Sequence, residues 1–217
     1  MSSTAIIAGA TGLVGGECLR LAVDRYDSVV AILRRPIEFT HARLEQRVID
    51  FDKIGSIEIP AGAHVYCALG TTIKKAGSQE AFRKVDFDYP RALAQRAAGA
   101  GDCRFMLVSS VGASARSAAF YLRIKGELED AIRAMPLAAS VIFRPSFILG
   151  DRGEKYRGQR LGIAIAPVIG PFLIGGLRKY RAIESKQVAA AMIAAANSDA
   201  RGSFVYHYDE IVRLASR

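Results

Sequence analysis

Tryptophan is absent from this 217-residue chain, and cysteine and histidine occur only three times each. Cys18, Cys67 and Cys103 stand far apart, each in or beside an apolar run, with no Cys-x-x-Cys pair and no Cys/His cluster. That spacing excludes a zinc or dithiol motif and leaves buried free thiols as the reading. His41, His64 and His207 have no partners in sequence and read as structural. Internal repeats, low-complexity tracts and long linkers are also missing, so nothing separates independent domains. The N-terminus enters a strand pattern without the charged-then-apolar segment of a secretory signal, which leads us to expect a reduced, cytoplasmic protein. No apolar run reaches the length of a membrane span. The nearest, Leu161 to Leu177, covers 17 residues, is broken by Pro167 and Pro171, and carries four glycines. It reads as a buried or interfacial wall.

Positive charge is in excess, at +9 from 30 Lys and Arg against 21 Asp and Glu. The basic residues are dispersed, and neither a basic helical stripe nor an aromatic-basic RNA motif is present. No nucleic-acid partner is expected, and attraction of a small anionic ligand accounts for the balance. With 51% hydrophobic and 24% charged residues the chain can bury a sizeable core. Its length fits one domain, 1–217, in which 145–217 contributes a small substrate-side lobe.

Short apolar runs alternate with helical patterns along the chain. Strands are expected at 4–8, 29–33, 45–50, 63–69, 104–109, 140–143 and 203–207. Helices are expected at 13–25, 78–98, 117–134, 185–198 and 209–216. Apolar runs without strict alternation, separated by helices, predict a parallel sheet covered on both faces, the doubly wound α/β arrangement of a Rossmann fold.

The turn Gly9-Ala10-Thr11-Gly12-Leu13-Val14-Gly15 follows the first strand and opens the first helix. In that context glycines permit a tight turn and close backbone approach to a pyrophosphate, which rests on the positive end of the helix. The second strand ends in Arg34-Arg35, where an NAD-preferring site usually carries an acid for the ribose 2′-hydroxyl. A guanidinium there pairs with a 2′-phosphate, so NADP(H) is the expected cofactor. Asp50 ends the third strand and either accepts from the adenine amine or caps the following turn. Phe51 beside it, and Leu69, Gly70 and Thr71 after the fourth strand, join the candidate cofactor-facing set, because ligands lie outside the carboxyl ends of strands.

The fifth strand runs into Ser109-Ser110, and eleven positions after Ser110 come Tyr121 and, one helical turn on, Lys125. A carbonyl substrate needs a proton donor as hydride reaches carbon. A phenol serves when a neighbouring cation favours its ionised form. Lys125 supplies that cation and can hold the nicotinamide ribose, while Ser110 would hydrogen-bond the substrate oxygen. Ser109 is an alternative serine, since loop register is not fixed by sequence.

Gly-Ala-Thr-Gly-Leu-Val-Gly, Ser-Ser before Tyr-x-x-x-Lys, and Arg-Pro-Ser-Phe-Ile at 144–148 resemble the short-chain dehydrogenase/reductase superfamily, in its extended and atypical branches. Cys67-Ala-Leu-Gly-Thr-Thr72, Val85-Asp86-Phe-Asp-Tyr89 and Ser109-Ser-x-Gly-Ala113 narrow this to the small atypical oxidoreductases similar to the HIV Tat-interacting protein. The resemblance covers almost the whole chain. It implies an NADPH-binding Rossmann domain with Ser110, Tyr121 and Lys125 in the roles above. It also implies that Pro145, Ser146, Phe147 and Ile148 lie near the nicotinamide, and a possible homodimer. Asp86 stands where many superfamily members carry an Asn that relays protons from the active-site lysine.

Arg152, Lys155, Arg157, Arg160, Arg178, Lys179 and Arg181 face only Asp151 and Glu154 between 151 and 181. This basic rim beside an apolar wall suits a substrate with an anionic group and a hydrophobic body, or else is a solvated loop beside a packing helix. The leading reading is an NADPH-dependent carbonyl reductase. The alternatives are an NADPH-binding redox-sensing regulator without turnover and, less favoured because the C-terminal part is short, a sugar-nucleotide epimerase or dehydratase.

Overall fold

A computed structural model describes residues 3–150 and 173–216. Seven strands form one parallel sheet: β1 (Thr4–Ala8), β2 (Ser28–Leu33), β3 (Leu44–Val48), β4 (His64–Cys67), β5 (Arg104–Val108), β6 (Ala139–Phe143) and, last in sequence, β9 (Gly202–Tyr206). Their order is β3-β2-β1-β4-β5-β6-β9. The order reverses between β1 and β4, which opens the crevice that doubly wound sheets use for ligands. A separate pair, β7 (Ile148–Leu149) and β8 (Ile183–Glu184), lies beyond the carboxyl end of β6. The apolar strands carry no polar face because both sides are covered. Ile7, Ala31, Met106 and Val141 face one core with helix α1 (Leu13–Arg25) and a late helix, Ser185–Ala196. Ile6, Ile32, Phe105 and Ile142 face the other, with Leu93 and Leu128 from two central helices. Each of the larger side chains among these, from Val to Phe, contributes about 1.5–3 kcal/mol by leaving water.

The strand and helix expectations hold with ends shifted by a few residues, with one exception. The helix expected over 78–98 is interrupted. It begins, after the short α2 (Ile73–Ala76), as α3 (Gln79–Arg83), passes through one π-helical turn at Lys84–Asp88, and resumes as α4 (Tyr89–Ala100). Pro90 has no N–H, and its ring would collide with the Asp86 carbonyl in a regular helix. The wider turn, with Tyr89 N donating to the Lys84 carbonyl, accommodates it. It also leaves Asp86 fully buried. The Tyr-Lys helix, α5, spans Phe120–Arg133, and the chain closes with α6 (Ser185–Ala196) and α7 (Tyr208–Ala215). All three cysteines are buried and free. Of the apolar stretch 161–177 only 173–177 falls within the described residues, and the basic positions 152, 155, 157 and 160 lie outside them. No helix among the described residues is long and apolar enough to cross a membrane.

Candidate active site

Every strand of the main sheet runs the same way, so the segments that follow β1, β2, β3, β4, β5 and β6 gather along one edge. This brings together the glycine turn, Arg34-Arg35, Asp50-Phe51, Leu69–Thr71, Ser109-Ser110 and Pro145–Ile148.

The glycine turn sits at the reversal point. Gly9 has φ +93°, and a Cβ there would stand 2.5 Å from the Ala68 carbonyl oxygen after β4. A Cβ on Gly15 would stand 2.1 Å from the Gly9 carbonyl, so α1 packs directly on the turn. Gly12 is the N-cap of α1 and no side chain caps the first amides. Thr11 and Gly12 are exposed, Leu13 is half-buried, and Val14 and Gly15 are buried. A backbone cradle left bare of side chains at the start of a 13-residue helix fits a pyrophosphate. Arg34 and Arg35 are exposed at the end of β2, without an ion-pair partner among the described residues. Asp50 takes the capping role: it accepts from Asp52 N at 3.0 Å and starts the 3-10 helix Phe51–Ser56. Phe51 is buried with its ring edge-on to Tyr89.

The central feature is a stripe on α5. Tyr121, Lys125 and Glu129 are spaced by four residues and so share a face. Their exposure falls from 36% through 4% to 0% along the helix. The Tyr121 ring leans on the buried Phe82, centroids 5.8 Å apart. Lys125 Nζ lies 2.9 Å from Asp86 Oδ1. That oxygen accepts no hydrogen bond of good direction, so the contact is an ion pair by proximity. Asp86 Oδ2 accepts from Thr71 N at 2.8 Å, which ties the segment after β4 to the same carboxylate. Gly70 leaves room there: a Cβ would meet Asp86 Oδ1 at 3.4 Å and Lys125 Nζ at 3.8 Å. Burial by itself favours the neutral amine at Lys125. Asp86, with Tyr121 and Cys67 nearby, outweighs it and holds the ammonium above the usual lysine pKa. Burial pushes the Cys67 thiol up to about 11, so it stays protonated beside this pair.

The two serines differ in what they face. Ser109 is buried, and its hydroxyl donates to Glu129 Oε1 at 2.5 Å. Ser110 is half-buried and its hydroxyl reaches only the Val111 carbonyl, at 3.3 Å. The segment after β6 is zipped to the same loop: Ser109 N donates to the Phe143 carbonyl and Val111 N to the Pro145 carbonyl. Pro145 is buried, Ser146 half-buried and Phe147 37% exposed, and Ile148 enters β7.

Sequence reasoning passed over Glu129 and Gly126. Glu129 is a charged residue eight positions after Tyr121 on an apolar face, and that was the available signal. Gly126 follows Lys125, and a Cβ there would lie 2.1 Å from the Ser114 carbonyl carbon. The glycine lets α5 touch the serine loop.

A comparison with protein-family models gives no match. The mitochondrial protein FMP52 of Candida albicans is 34% identical over 229 aligned positions, which cover 97% of each chain. The rat protein HTATIP2 is 34% identical over 167 residues, 74% of this chain and 69% of that one. Among solved structures, human epimerase family protein SDR39U1 with NADPH matches with a TM-score of 0.64 at 18% identity, over 94% of this chain and 74% of that one. MoeE5 in complex with UDP-glucose and NAD matches with 0.68 at 14% identity, over 99% and 81%. The relatives correct one expectation: several are named mitochondrial, against the cytoplasmic address drawn from the sequence. That address came from the absence of a secretory pattern, which does not bear on mitochondrial import, whose leaders are amphipathic and Arg-rich. The chain belongs to the family of FMP52 and HTATIP2, and it shares the Rossmann fold of the NADPH- and NAD-bound structures it matches.

Proposed function

We propose that the chain is an NADPH-dependent reductase of small carbonyl compounds, with Ser110, Tyr121 and Lys125 as its active site. The observation that carries this reading is the buried Lys125 ammonium, held by Asp86 one helical turn along α5 from the exposed Tyr121. A phenol beside a fixed cation can serve as the proton donor to a carbonyl oxygen.

The glycine turn and the bare amides of α1 would hold the pyrophosphate, and Arg34 and Arg35 the 2′-phosphate. Phe51 would lie toward the adenine. The segment Pro145–Ile148 would flank the nicotinamide, and residues 145–217 would supply the substrate side. When bound, NADPH supplies the hydride. Lys125 orients the ribose end and keeps its charge beside Tyr121. Tyr121 transfers its proton to the carbonyl oxygen as negative charge develops there, and Ser110 donates a hydrogen bond to the same oxygen. Ser110 suits this role better than Ser109, whose hydroxyl is engaged inside the protein by Glu129.

The test is NADPH oxidation across a panel of aldehydes, ketones and enones. Tyr121→Phe and Lys125→Ala should each abolish turnover while the circular dichroism spectrum is kept. Turnover by folded Tyr121→Phe within twofold of the unsubstituted protein would overturn the assignment. Tight NADPH binding with no turnover on any of the panel would point to a redox-sensing regulator instead.

A further inference from the structure

Glu129 is fully buried and receives more charge than any other carboxylate among the described residues. Arg144 forks onto it, with Nε at 2.9 Å from Oε1 and 3.2 Å from Oε2, and a second nitrogen at 2.5 Å from Oε2. Arg133, one turn along α5, reaches Oε2 at 2.8 Å. Ser109 donates to Oε1. One carboxylate therefore joins three elements: the middle of α5, the loop leaving β5 and the loop leaving β6. Those are the elements that carry Tyr121 and Lys125, Ser110, and Pro145–Ile148.

Burying an ion pair brings a large desolvation cost, and apolar replacements of similar shape are often as stable. Stability alone is thus a poor reason for such a cluster. Its geometry fits a registry role. Arg144 also donates its backbone N–H to the Tyr206 carbonyl, so the cluster is anchored in the sheet. At Gly126, three residues before Glu129, α5 already touches the serine loop.

We propose that Glu129 is a positioning residue, which clamps the loops after β5 and β6 to α5 and so fixes Ser110 and the Pro145–Ile148 segment against Tyr121 and Lys125. This rests on the reductase reading above. It assigns the ordering of the nicotinamide end of the site to a carboxylate that touches neither substrate nor cofactor. The glycine turn and Arg34-Arg35 are remote from the clamp and would go on holding the other end of the dinucleotide.

The experiment compares Glu129→Gln and Ser109→Ala with the unsubstituted full chain, by NADPH fluorescence titration and by amide hydrogen exchange. In both variants the NADPH dissociation constant should stay within about threefold, while the nicotinamide emission enhancement falls by about half or more. Exchange should quicken about tenfold or more at 109–113, and in Glu129→Gln also at 144–148, with β1 and α1 unchanged. Ser109→Ala removes a single hydrogen bond, so it decides the matter if Glu129→Gln does not fold. Unchanged emission together with unchanged exchange in a folded variant would overturn the clamp. If the unsubstituted chain binds no NADPH, the reductase reading fails, and the exchange measurement alone still decides whether Glu129 holds the two loops.

Discussion

Replacing Asp86 with asparagine removes one negative charge from the interior and leaves the shape almost intact. The amide oxygen can still accept from Thr71 N, which now meets a carboxylate oxygen at 2.8 Å. What is lost is attraction to Lys125 Nζ at 2.9 Å. At an effective dielectric constant of about 20 that attraction is about 6 kcal/mol. The variant does not lose all of it, because Lys125 can shed its proton. From an ordinary lysine pKa of about 10.4, deprotonation at pH 7 costs about 4.6 kcal/mol. The loss of stability at pH 7 is therefore about 3–5 kcal/mol, in the range found when one member of a buried pair is removed. The pH dependence identifies the cause. In the unsubstituted protein the folded pKa of Lys125 is raised. Its contribution is complete below the unfolded value and fades only as pH climbs through the folded one, so stability from this pair is flat between pH 7 and 9. In Asp86→Asn the buried amine has no counter-charge and its folded pKa drops. The unfolded chain then binds one more proton, and stability rises with pH by about 1.4 kcal/mol per unit. Urea unfolding at pH 7, 8 and 9 should show the gap between the two proteins closing by about 2.7 kcal/mol. A gap under about 1 kcal/mol at pH 7, or one that does not change with pH, would refute the reasoning.

Gly126→Ala places a methyl group 2.1 Å from the Ser114 carbonyl carbon, which is backbone and must move. A loss of about 1–3 kcal/mol in denaturant unfolding is expected, together with reduced turnover because the serine loop shifts. Arg34→Ala should remove the preference for NADPH over NADH, measured as the ratio of their dissociation constants. An unchanged ratio would reassign the 2′-phosphate contact. Burial, with Arg104 nearby, pushes the His64 pKa down to about 4. The unfolded chain takes up that proton first, so stability should fall as pH drops from about 6.5 toward 4. His64→Asn should lessen that fall in unfolding curves at pH 7, 5.5 and 4.5.

Local pattern located the elements whose character is decided locally. The runs at 4–8 and 29–33 are apolar on both faces because the sheet is covered on both sides, and that shows in any short window. The glycine turn could be assigned because its neighbours are a strand and a helix. Where a feature depends on a distant partner, sequence spacing was silent. The choice between Ser109 and Ser110 as the free hydroxyl hangs on Glu129, 20 positions away. The pairing of Ile148 with Ile183 joins two-residue strands, too short to leave a periodicity. The π-turn had a local sign in Pro90, but a proline in a helical window signals either a stop or a kink. Which one follows depends on whether Asp86 has a partner to bury against, and Lys125 supplies it.

The gradient along α5 gives the Tyr121–Lys125 spacing its meaning. A helix rises about 1.5 Å per residue, so Tyr121, Lys125 and Glu129 stand roughly 6 Å apart in steps along one line. Because α5 starts at the ligand edge of the sheet and runs inward, those steps lead from solvent to core. In the proposed reaction the proton donor must reach substrate, and Tyr121 occupies the outermost step. Lys125 occupies the second, out of water, with Asp86 to keep it charged. The innermost step is dry and rigid, where a carboxylate can hold two arginines and a serine in fixed directions. Any pair four residues apart shares a face. What distinguishes this pair is that the same face continues inward to a third residue, the charged Glu129, with partners on two other strands' loops.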